Sequence, residues 1–108
     1  LINTGWTGGS GAPGGSGSRF PIPVTRAVVS AAESGVLLSK PTAHLDILNL
    51  DFPTEIPGVD PQYVNPRDNW GDTAAYDEQA SKLAALFQDN IRRFDASSAI
   101  IAAGPKVA

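Results

Sequence analysis

Arg19 is the residue of this chain whose type and position best suit ligand binding. It is the only positive charge among the first twenty-five residues, and it follows a glycine-rich stretch at residues 5–18. Its guanidinium group is planar and always charged, so it can pair with a phosphate or stack on a ring. The glycines allow close approach of backbone, and a helix that starts just after them would offer unpaired N–H groups to an anion. This junction of strand, loop and helix is therefore predicted to be a binding site.

The same glycine-rich stretch has a simpler interpretation as a flexible linker. Seven of the eleven glycines lie between Gly5 and Gly17, interspersed with serine and proline, and such compositions are typical of linkers. The stretch is not a P-loop, because no G-x-x-x-x-G-K-[ST] pattern occurs in the chain. Composition alone favours the linker.

Four groups of motifs occur in order along the chain. They are NTGWTGG, GSR and TRA at residues 3–9, 17–19 and 25–27; PGVD and NPRDNW at residues 57–60 and 65–70; YDEQA and LAALFQDN at residues 76–80 and 83–90; and AAGPKV at residues 102–107. Together they resemble the C-terminal part of ATP-dependent phosphoenolpyruvate carboxykinase. The likeness covers nearly the whole chain, but only roughly the last fifth of a family member.

The resemblance implies an α/β fold, with residues 1–108 forming the C-terminal piece of a mixed α/β nucleotide-binding domain. It implies a lyase, a decarboxylase of gluconeogenesis in the cytoplasm, that converts oxaloacetate and ATP to phosphoenolpyruvate, CO2 and ADP with Mg²⁺ and Mn²⁺. The P-loop, the metal ligands and the oxaloacetate-binding residues would lie upstream. This chain is therefore expected to hold no metal, to need the upstream remainder of the carboxykinase as its partner, and to be inactive by itself.

The resemblance also assigns three ATP-binding positions. The family's arginine that contacts ATP corresponds to Arg19, the backbone beside it to Phe20, and a threonine near the base to Thr25. The alternative is a small non-catalytic α/β module in which the glycine-rich segment is only a linker.

Composition excludes several other classes of function. With eight basic and eleven acidic residues the net charge is −3, and no basic stripe is available for nucleic acid. The chain has no cysteine, so disulfides and cysteine-based zinc sites are excluded. No run of about 18 apolar residues predicts a membrane span. Because the sequence opens on Leu1-Ile2, which suits the tail of a strand, we expect it to be cut at its N-terminus.

Periodicity predicts two main helices, one or two short strands and a proline-rich irregular segment. The predicted elements are a helix at 24–34 with Gly35 as its C′ residue, a strand at 47–52, irregular chain at 53–66, a long helix from Asp72 or Thr73 that buries Tyr76, Ala80, Leu83, Phe87, Ile91 and Phe94, and a short helix at 98–103. Arg92 and Arg93 are expected in the last turn of the long helix.

The remaining polar and aromatic residues have simpler interpretations. His44 is expected to be solvated in a loop, with no metal-binding role. The carboxylates of Asp46, Asp51 and Glu55 are expected to be exposed rather than paired in a cleft. Asp72, Asp77 and Glu78 are interpreted as acids at the helix start, and Trp6 and Trp70 as packing anchors.

Overall fold

The computed structural model describes residues 1–11 and 13–106, and in these residues the fold is mixed α/β. Its elements are β1 (Trp6–Thr7), β2 (Ser18–Arg19), α1 (Ile22–Glu33), β3 (Thr42–Leu45), β4 (Leu50–Pro53), α2 (Thr73–Ile91) and α3 (Ser98–Ala103), with 3-10 turns at Val36–Ser39 and Pro61–Tyr63. The strands form two antiparallel pairs, β1 with β2 and β3 with β4. The α/β class is confirmed, with the three helices that the sequence predicted and more strands than it predicted.

The first strand lies later in the chain than predicted. Leu1 and Ile2 belong to no strand and are exposed, whereas β1 begins at Trp6. Trp6 pairs with Arg19 across the sheet, and Thr7 pairs with Ser18. The glycine-rich stretch is thus the loop of a β-hairpin.

Helix α1 starts at Ile22, two residues before the predicted start. Pro21 is its N-cap residue and Pro23 lies in the first turn. Proline suits these positions because its fixed φ is helical and the missing N–H has no helical partner there. At the other end Gly35 has a φ of 78°, which confirms it as the left-handed residue after the helix.

The predicted strand at 47–52 is wrong in its limits. Strand β4 runs from Leu50 to Pro53 and pairs with β3, which was not predicted. Residues 46–49 form the turn between them, and Asn49 adopts a φ of 56° there. Asparagine tolerates this left-handed conformation better than most residues, so the turn uses residues that alternation alone assigns to the strand.

Helix α2 begins where it was predicted to begin. The Asp72 carboxylate accepts hydrogen bonds from the N–H groups of Ala74 and Ala75, at 2.9 and 3.2 Å. The helix ends at Ile91 and Arg92 is its C-cap residue. The prediction that Arg92 and Arg93 lie in the last turn is therefore wrong.

The buried face of α2 is narrower than predicted. In the described part of the chain the buried side chains are Ala31, Tyr76, Ala80 and Ala84. The buried row of α2 thus follows four-residue steps, whereas Leu83 and Phe87 are 45% and 52% exposed. Phe94, also predicted to be buried, is exposed.

The chain has a large surface for its length. It exposes 7489 Å², roughly a third more than a compact monomer of this size. Its radius of gyration is 15.1 Å, against about 13 Å for a compact domain of the same length. Much of the apolar surface is therefore left uncovered.

Helix α3 confirms the prediction for residues 98–103 and is attached to the β3–β4 turn. The Asn49 amide nitrogen lies 3.2, 3.2 and 3.1 Å from the carbonyl oxygens of Ala102, Ala103 and Gly104. The Lys106 N–H donates to the Ile47 carbonyl at 2.8 Å. The Asn49 amide thus meets carbonyl groups that a helix leaves unpaired at its C-terminal end.

Candidate functional site

The glycine-rich loop is held by hydrogen bonds across its base. We call residues 5–20 the glycine hairpin. The Gly17 N–H donates to the Ser10 carbonyl at 3.0 Å, and the Phe20 N–H donates to the Gly5 carbonyl at 3.1 Å. The Ser16 hydroxyl lies 3.1 Å from the Gly8 carbonyl oxygen. The interpretation of this stretch as a free linker is therefore wrong, because both arms are bonded to each other.

The close approach of the two arms explains part of the glycine content. A Cβ at Gly17 would lie 2.2 Å from the Gly9 carbonyl oxygen, and Gly9 itself has a φ of 139°. Other residues rarely adopt that conformation, and their side chains would not fit at position 17. These two glycines are thus required by the hairpin whether or not a ligand is bound.

Two contacts fix the hairpin to the segment that precedes α2. The Thr7 hydroxyl is bonded to the Asn69 side-chain amide. The Phe20 ring lies 5.4 Å from the Tyr63 ring, centroid to centroid, at an angle of 44°. The Phe20 side chain is therefore committed to packing, and only its backbone remains for a ligand.

Arg19 lies on the exposed face of the hairpin. Its guanidinium carbon is 5.8 Å from the centroid of the Trp6 ring, within the range of a cation–π interaction. It forms no ion pair with any residue in the described ranges. The site therefore has one positive charge that no carboxylate of these residues neutralises.

The start of α1 is a weaker anion site than predicted. The N–H groups of Val24 and Thr25 both donate to the Pro21 carbonyl, at 3.0 and 3.2 Å. Pro23 has no N–H to offer. In the first turn only Ile22 retains an N–H outside these bonds. The prediction that several backbone N–H groups converge here is therefore wrong, because two of them are already bonded to the Pro21 carbonyl.

Phe20 and Thr25 each keep one polar group that makes no hydrogen bond within the described residues. The Phe20 N–H is used by Gly5, which leaves its carbonyl oxygen. Thr25 is half-buried in the first turn of α1, and its hydroxyl makes no hydrogen bond within the described ranges. A cation, an acceptor and a hydroxyl thus belong to residues that lie close together in the chain, between positions 19 and 25.

The sequence model of the phosphoenolpyruvate carboxykinase family matches residues 1–62. The chain belongs to that family. It is 47% identical over 108 residues to a phosphoenolpyruvate carboxykinase (ATP) of Thermus thermophilus, covering 98% of this chain and 20% of that protein. The corresponding protein of Lysinibacillus sphaericus is 44% identical over 105 residues, covering 96% of this chain and 19% of its own length.

A eukaryotic relative also matches, and again the chain covers only a part of that relative's length. The phosphoenolpyruvate carboxykinase (ATP) of Dictyostelium discoideum is 42% identical over 107 residues, covering 97% of this chain and 18% of that protein. The chain therefore spans about a fifth of the length of these relatives. The resemblance drawn from the four groups of motifs is confirmed, and the alternative of an unrelated module is not supported.

Several other ionisable groups of this carboxykinase segment form exposed ion pairs. Arg67 donates to both carboxylate oxygens of Asp77, at 2.9 and 3.0 Å. This hydrogen bonding lowers the pKa of Asp77 and raises the pKa of Arg67. The hydrogen bond from Lys82 lowers the pKa of Glu78 in the same way. Asp77 and Glu78 are therefore ion-pair partners rather than acids at the helix start.

His44 is exposed as predicted, but it lies on strand β3 and not in a loop. Its Nδ1 is 2.7 Å from the Asp51 carboxylate, directly across the β3–β4 pair. Within residues 1–11 and 13–106, no three histidine or acidic side chains are grouped as a metal ion would require. None of the helices in this part of the chain is long and apolar enough to cross a bilayer.

Proposed function

We propose that this chain forms the wall of an ATP site, on the side of the base, in a cytoplasmic ATP-dependent phosphoenolpyruvate carboxykinase. The whole enzyme would convert oxaloacetate and ATP to phosphoenolpyruvate, CO2 and ADP. The observation that carries this proposal is the match of nearly the whole chain, at 47% identity, to a relative whose name specifies ATP. The chain would then be the C-terminal part of a nucleotide-binding domain.

Arg19 is proposed to supply the charge of this wall. Its guanidinium group is exposed and has no carboxylate partner among the described residues. A phosphate or an electron-rich ring can therefore approach it without displacing an existing ion pair. Guanidinium is weakly hydrated and planar, so losing water on binding costs it less than it would cost an ammonium group.

Phe20 and Thr25 are proposed to recognise the edge of the base. The Phe20 carbonyl is an acceptor and suits an exocyclic amino group, whereas the Thr25 hydroxyl can donate to a ring nitrogen. The backbone segments that carry the two groups are joined by the hydrogen bond from the Thr25 N–H to the Pro21 carbonyl, which limits how far the two groups can move apart. A rigid acceptor and donor favour one orientation of the base.

The remaining chemistry is proposed to belong to other parts of the enzyme. The P-loop, the ligands of Mg²⁺ and Mn²⁺ and the oxaloacetate-binding residues would lie upstream of this segment. When bound, the metal ions would neutralise charge during phosphoryl transfer and stabilise the enolate. This segment would orient the nucleotide so that its terminal phosphate reaches that centre.

The exposed apolar surface is proposed to pack against the upstream remainder of the carboxykinase. Leu86 and Phe87 on α2 are 68% and 52% exposed, and Ile100 and Ile101 on α3 are also exposed. Between the end of α2 and α3 lies an apolar groove of about 680 Å³. Contiguous apolar surface of this kind marks an interaction site, and the relatives are about five times as long as this chain.

Arg19→Ala in a full-length carboxykinase that carries this segment tests the proposed ATP site. A partly desolvated charged contact is worth about 1.5–3 kcal/mol, so we expect the Kd for ATP, measured by calorimetry, to rise at least about tenfold. Arg19→Lys should recover only part of the affinity, because an ammonium group lacks the planar shape.

The control is Arg93→Ala, since Arg93 is also exposed and forms no ion pair in the described part of the chain. The Arg93→Ala variant should leave the Kd for ATP unchanged. As a second control, the Arg19→Ala variant should bind oxaloacetate with largely unchanged affinity. Equal ATP affinities of Arg19→Ala and the unaltered enzyme would contradict the proposal. So would phosphoenolpyruvate formation by the purified 108-residue chain alone, which we expect to be inactive.

A further inference from the structure

We infer that Trp6 is a positioning residue that holds the Arg19 guanidinium in the orientation in which it meets the nucleotide. The inference rests on the proposed ATP site and adds to it a residue that would act through Arg19. It also gives the glycine-rich loop a role in binding that is indirect, because the loop would hold Trp6 rather than cradle the ligand.

The first observation is the register of the hairpin. Trp6 and Arg19 are directly opposite each other in the antiparallel pair, and opposite residues of such a pair project from the same face. Their side chains meet there, with the guanidinium carbon 5.8 Å from the indole centroid. Because β1 and β2 are bonded on both sides of this pair, a slip that would separate the two side chains is prevented.

The second observation is the position of Gly11 against the same indole. A Cβ built on Gly11 would lie 2.4, 2.5 and 2.9 Å from the Cε2, Cδ2 and Cζ2 atoms of Trp6. Both ring-fusion atoms are therefore approached at once, which is possible only over the face of the ring. The backbone of the loop thus rests on the indole, and only glycine fits at this position.

These contacts distinguish Trp6 from a tryptophan that only fills a core. The side chain is 50% exposed, whereas a packing anchor would be buried. Its ring is confined by the loop backbone, and it in turn confines a long, flexible arginine. Ordering such a side chain during binding costs affinity, so an arginine held in place beforehand binds more tightly.

The test is a double-mutant cycle in a full-length carboxykinase that carries this segment, with the Kd for ATP measured by calorimetry. Trp6→Leu removes the cation–π contact and should raise the Kd about two- to fivefold. Trp6→Phe keeps an aromatic face and should recover most of the affinity. In an Arg19→Ala background, Trp6→Leu should have no further effect, because a residue that acts through Arg19 loses its role when Arg19 is absent.

A second pair of variants tests the role of the loop. Gly11→Ala would place a methyl group 2.4 Å from Trp6 Cε2, so the loop or the indole must move and their contact is lost. The Kd should therefore rise as it does in Trp6→Leu. Gly5→Ala is the matched control, because a Cβ there has Asn3 Oδ1 as its nearest neighbour at 3.7 Å, an ordinary contact. It should bind ATP as the unaltered enzyme does.

The outcomes separate this inference from the proposed function. Equal Kd values for Arg19→Ala and the unaltered enzyme would overturn the ATP site and the role of Trp6 with it. If Arg19→Ala weakens ATP binding and Trp6→Leu leaves the Kd unchanged, the role of Trp6 is overturned but the proposed ATP site is not. The same follows from a Trp6→Leu effect that persists in full without Arg19, or from a Gly11→Ala variant that binds ATP like Gly5→Ala.

Discussion

The glycine hairpin and the helical end of the chain, residues 83–104, are both exposed but differ in what they expose. The hairpin presents the exposed guanidinium group of Arg19, which lies against the Trp6 ring. The helical end presents leucine, isoleucine and phenylalanine side chains around a groove. Polar groups at a surface are solvated and are stable without a ligand. Apolar surface of this extent marks a site of contact with another part of a protein. Exposure therefore has two different meanings within one chain.

The two regions also differ in how they are stabilised. Backbone hydrogen bonds within the hairpin connect its arms without help from distant residues. The end of α3 is instead fastened by a residue from outside the region, since the Asn49 amide nitrogen lies 3.1 to 3.2 Å from the carbonyl oxygens of Ala102, Ala103 and Gly104. The two arms of the hairpin thus bond to each other, whereas the helical end is fastened by another part of the chain. Substitutions should show this difference.

The largest effect is expected for Leu83→Ala in the helical end. In the full-length enzyme, where we propose that α2 is covered, the loss of a packed leucine should lower the free energy of unfolding by about 2–5 kcal/mol. In the isolated chain Leu83 is 45% exposed, so the cost should be below about 1 kcal/mol. Urea unfolding of both proteins measures the difference.

Gln79→Ala is the control for this experiment, since Gln79 is exposed on the same helix and should cost little in either protein. If Leu83→Ala costs the same small amount in the full-length enzyme and in the isolated chain, α2 is not covered at this position. The comparison between the two regions would then fail for the helical end.

A smaller effect is expected for Thr25→Val in the proposed ATP site. Valine keeps the shape of threonine but removes the hydroxyl, whose hydrogen bond to a ligand is worth about 0.5–1.5 kcal/mol. The Kd for ATP should therefore rise about two- to tenfold, with little change in the free energy of unfolding because the hydroxyl has no partner in the described part of the chain. Thr25→Ser should keep most of the affinity, and a loss of stability in Thr25→Val without a loss of affinity would contradict this role.

The smallest effect concerns the ion pair between Arg67 and Asp77, which lies outside both regions. The bonded guanidinium lowers the pKa of Asp77 below its ordinary value of 3.8. A carboxylate with a lowered pKa stabilises the fold above its unfolded pKa, and this contribution is lost as the pH falls through the folded pKa. Between pH 7 and 5 the pair should add no pH dependence, and below pH 4 stability should fall.

Comparing Asp77→Asn with the unaltered protein by thermal unfolding at several pH values isolates this contribution. As the pH falls below 4, the variant should lose less stability than the unaltered protein, because asparagine does not titrate. Since both partners are exposed, the difference should be small. Parallel stability curves for the two proteins across the acid range would show that the pair does not contribute.

Sequence alone predicted the elements whose limits are set by neighbouring residues. Asp72 caps α2 through N–H groups two and three residues away, and Gly35 ends α1 by its own conformation. Strand β4 could not be placed in this way. Its limits depend on pairing with Thr42–Leu45 and on the left-handed turn at Asn49, and an alternating pattern contains neither.

In the candidate site, too, some features were predicted from the sequence and others appear only in the structure. Arg19, Phe20 and Thr25 were assigned by resemblance, and the structure adds which atoms of them remain open. The Phe20 N–H donates to the Gly5 carbonyl, and the Pro21 carbonyl accepts two N–H groups of α1. Both features depend on backbone geometry, which the types of the side chains do not determine. The pair between Arg67 and Asp77 joins residues ten positions apart across a loop, so no periodic pattern indicates it.

The Asn49 amide that caps α3 affects the order in which the elements of this segment can fold. It lies 53 to 55 residues before the carbonyl groups it contacts, so during synthesis the β3–β4 turn leaves the ribosome well before its partner exists. A helix of six residues is far below the roughly 12–15 residues at which isolated helices become marginally stable in water. Helix α3 should therefore form only upon docking to a turn that is already in place, which makes it one of the last elements of this segment to fold.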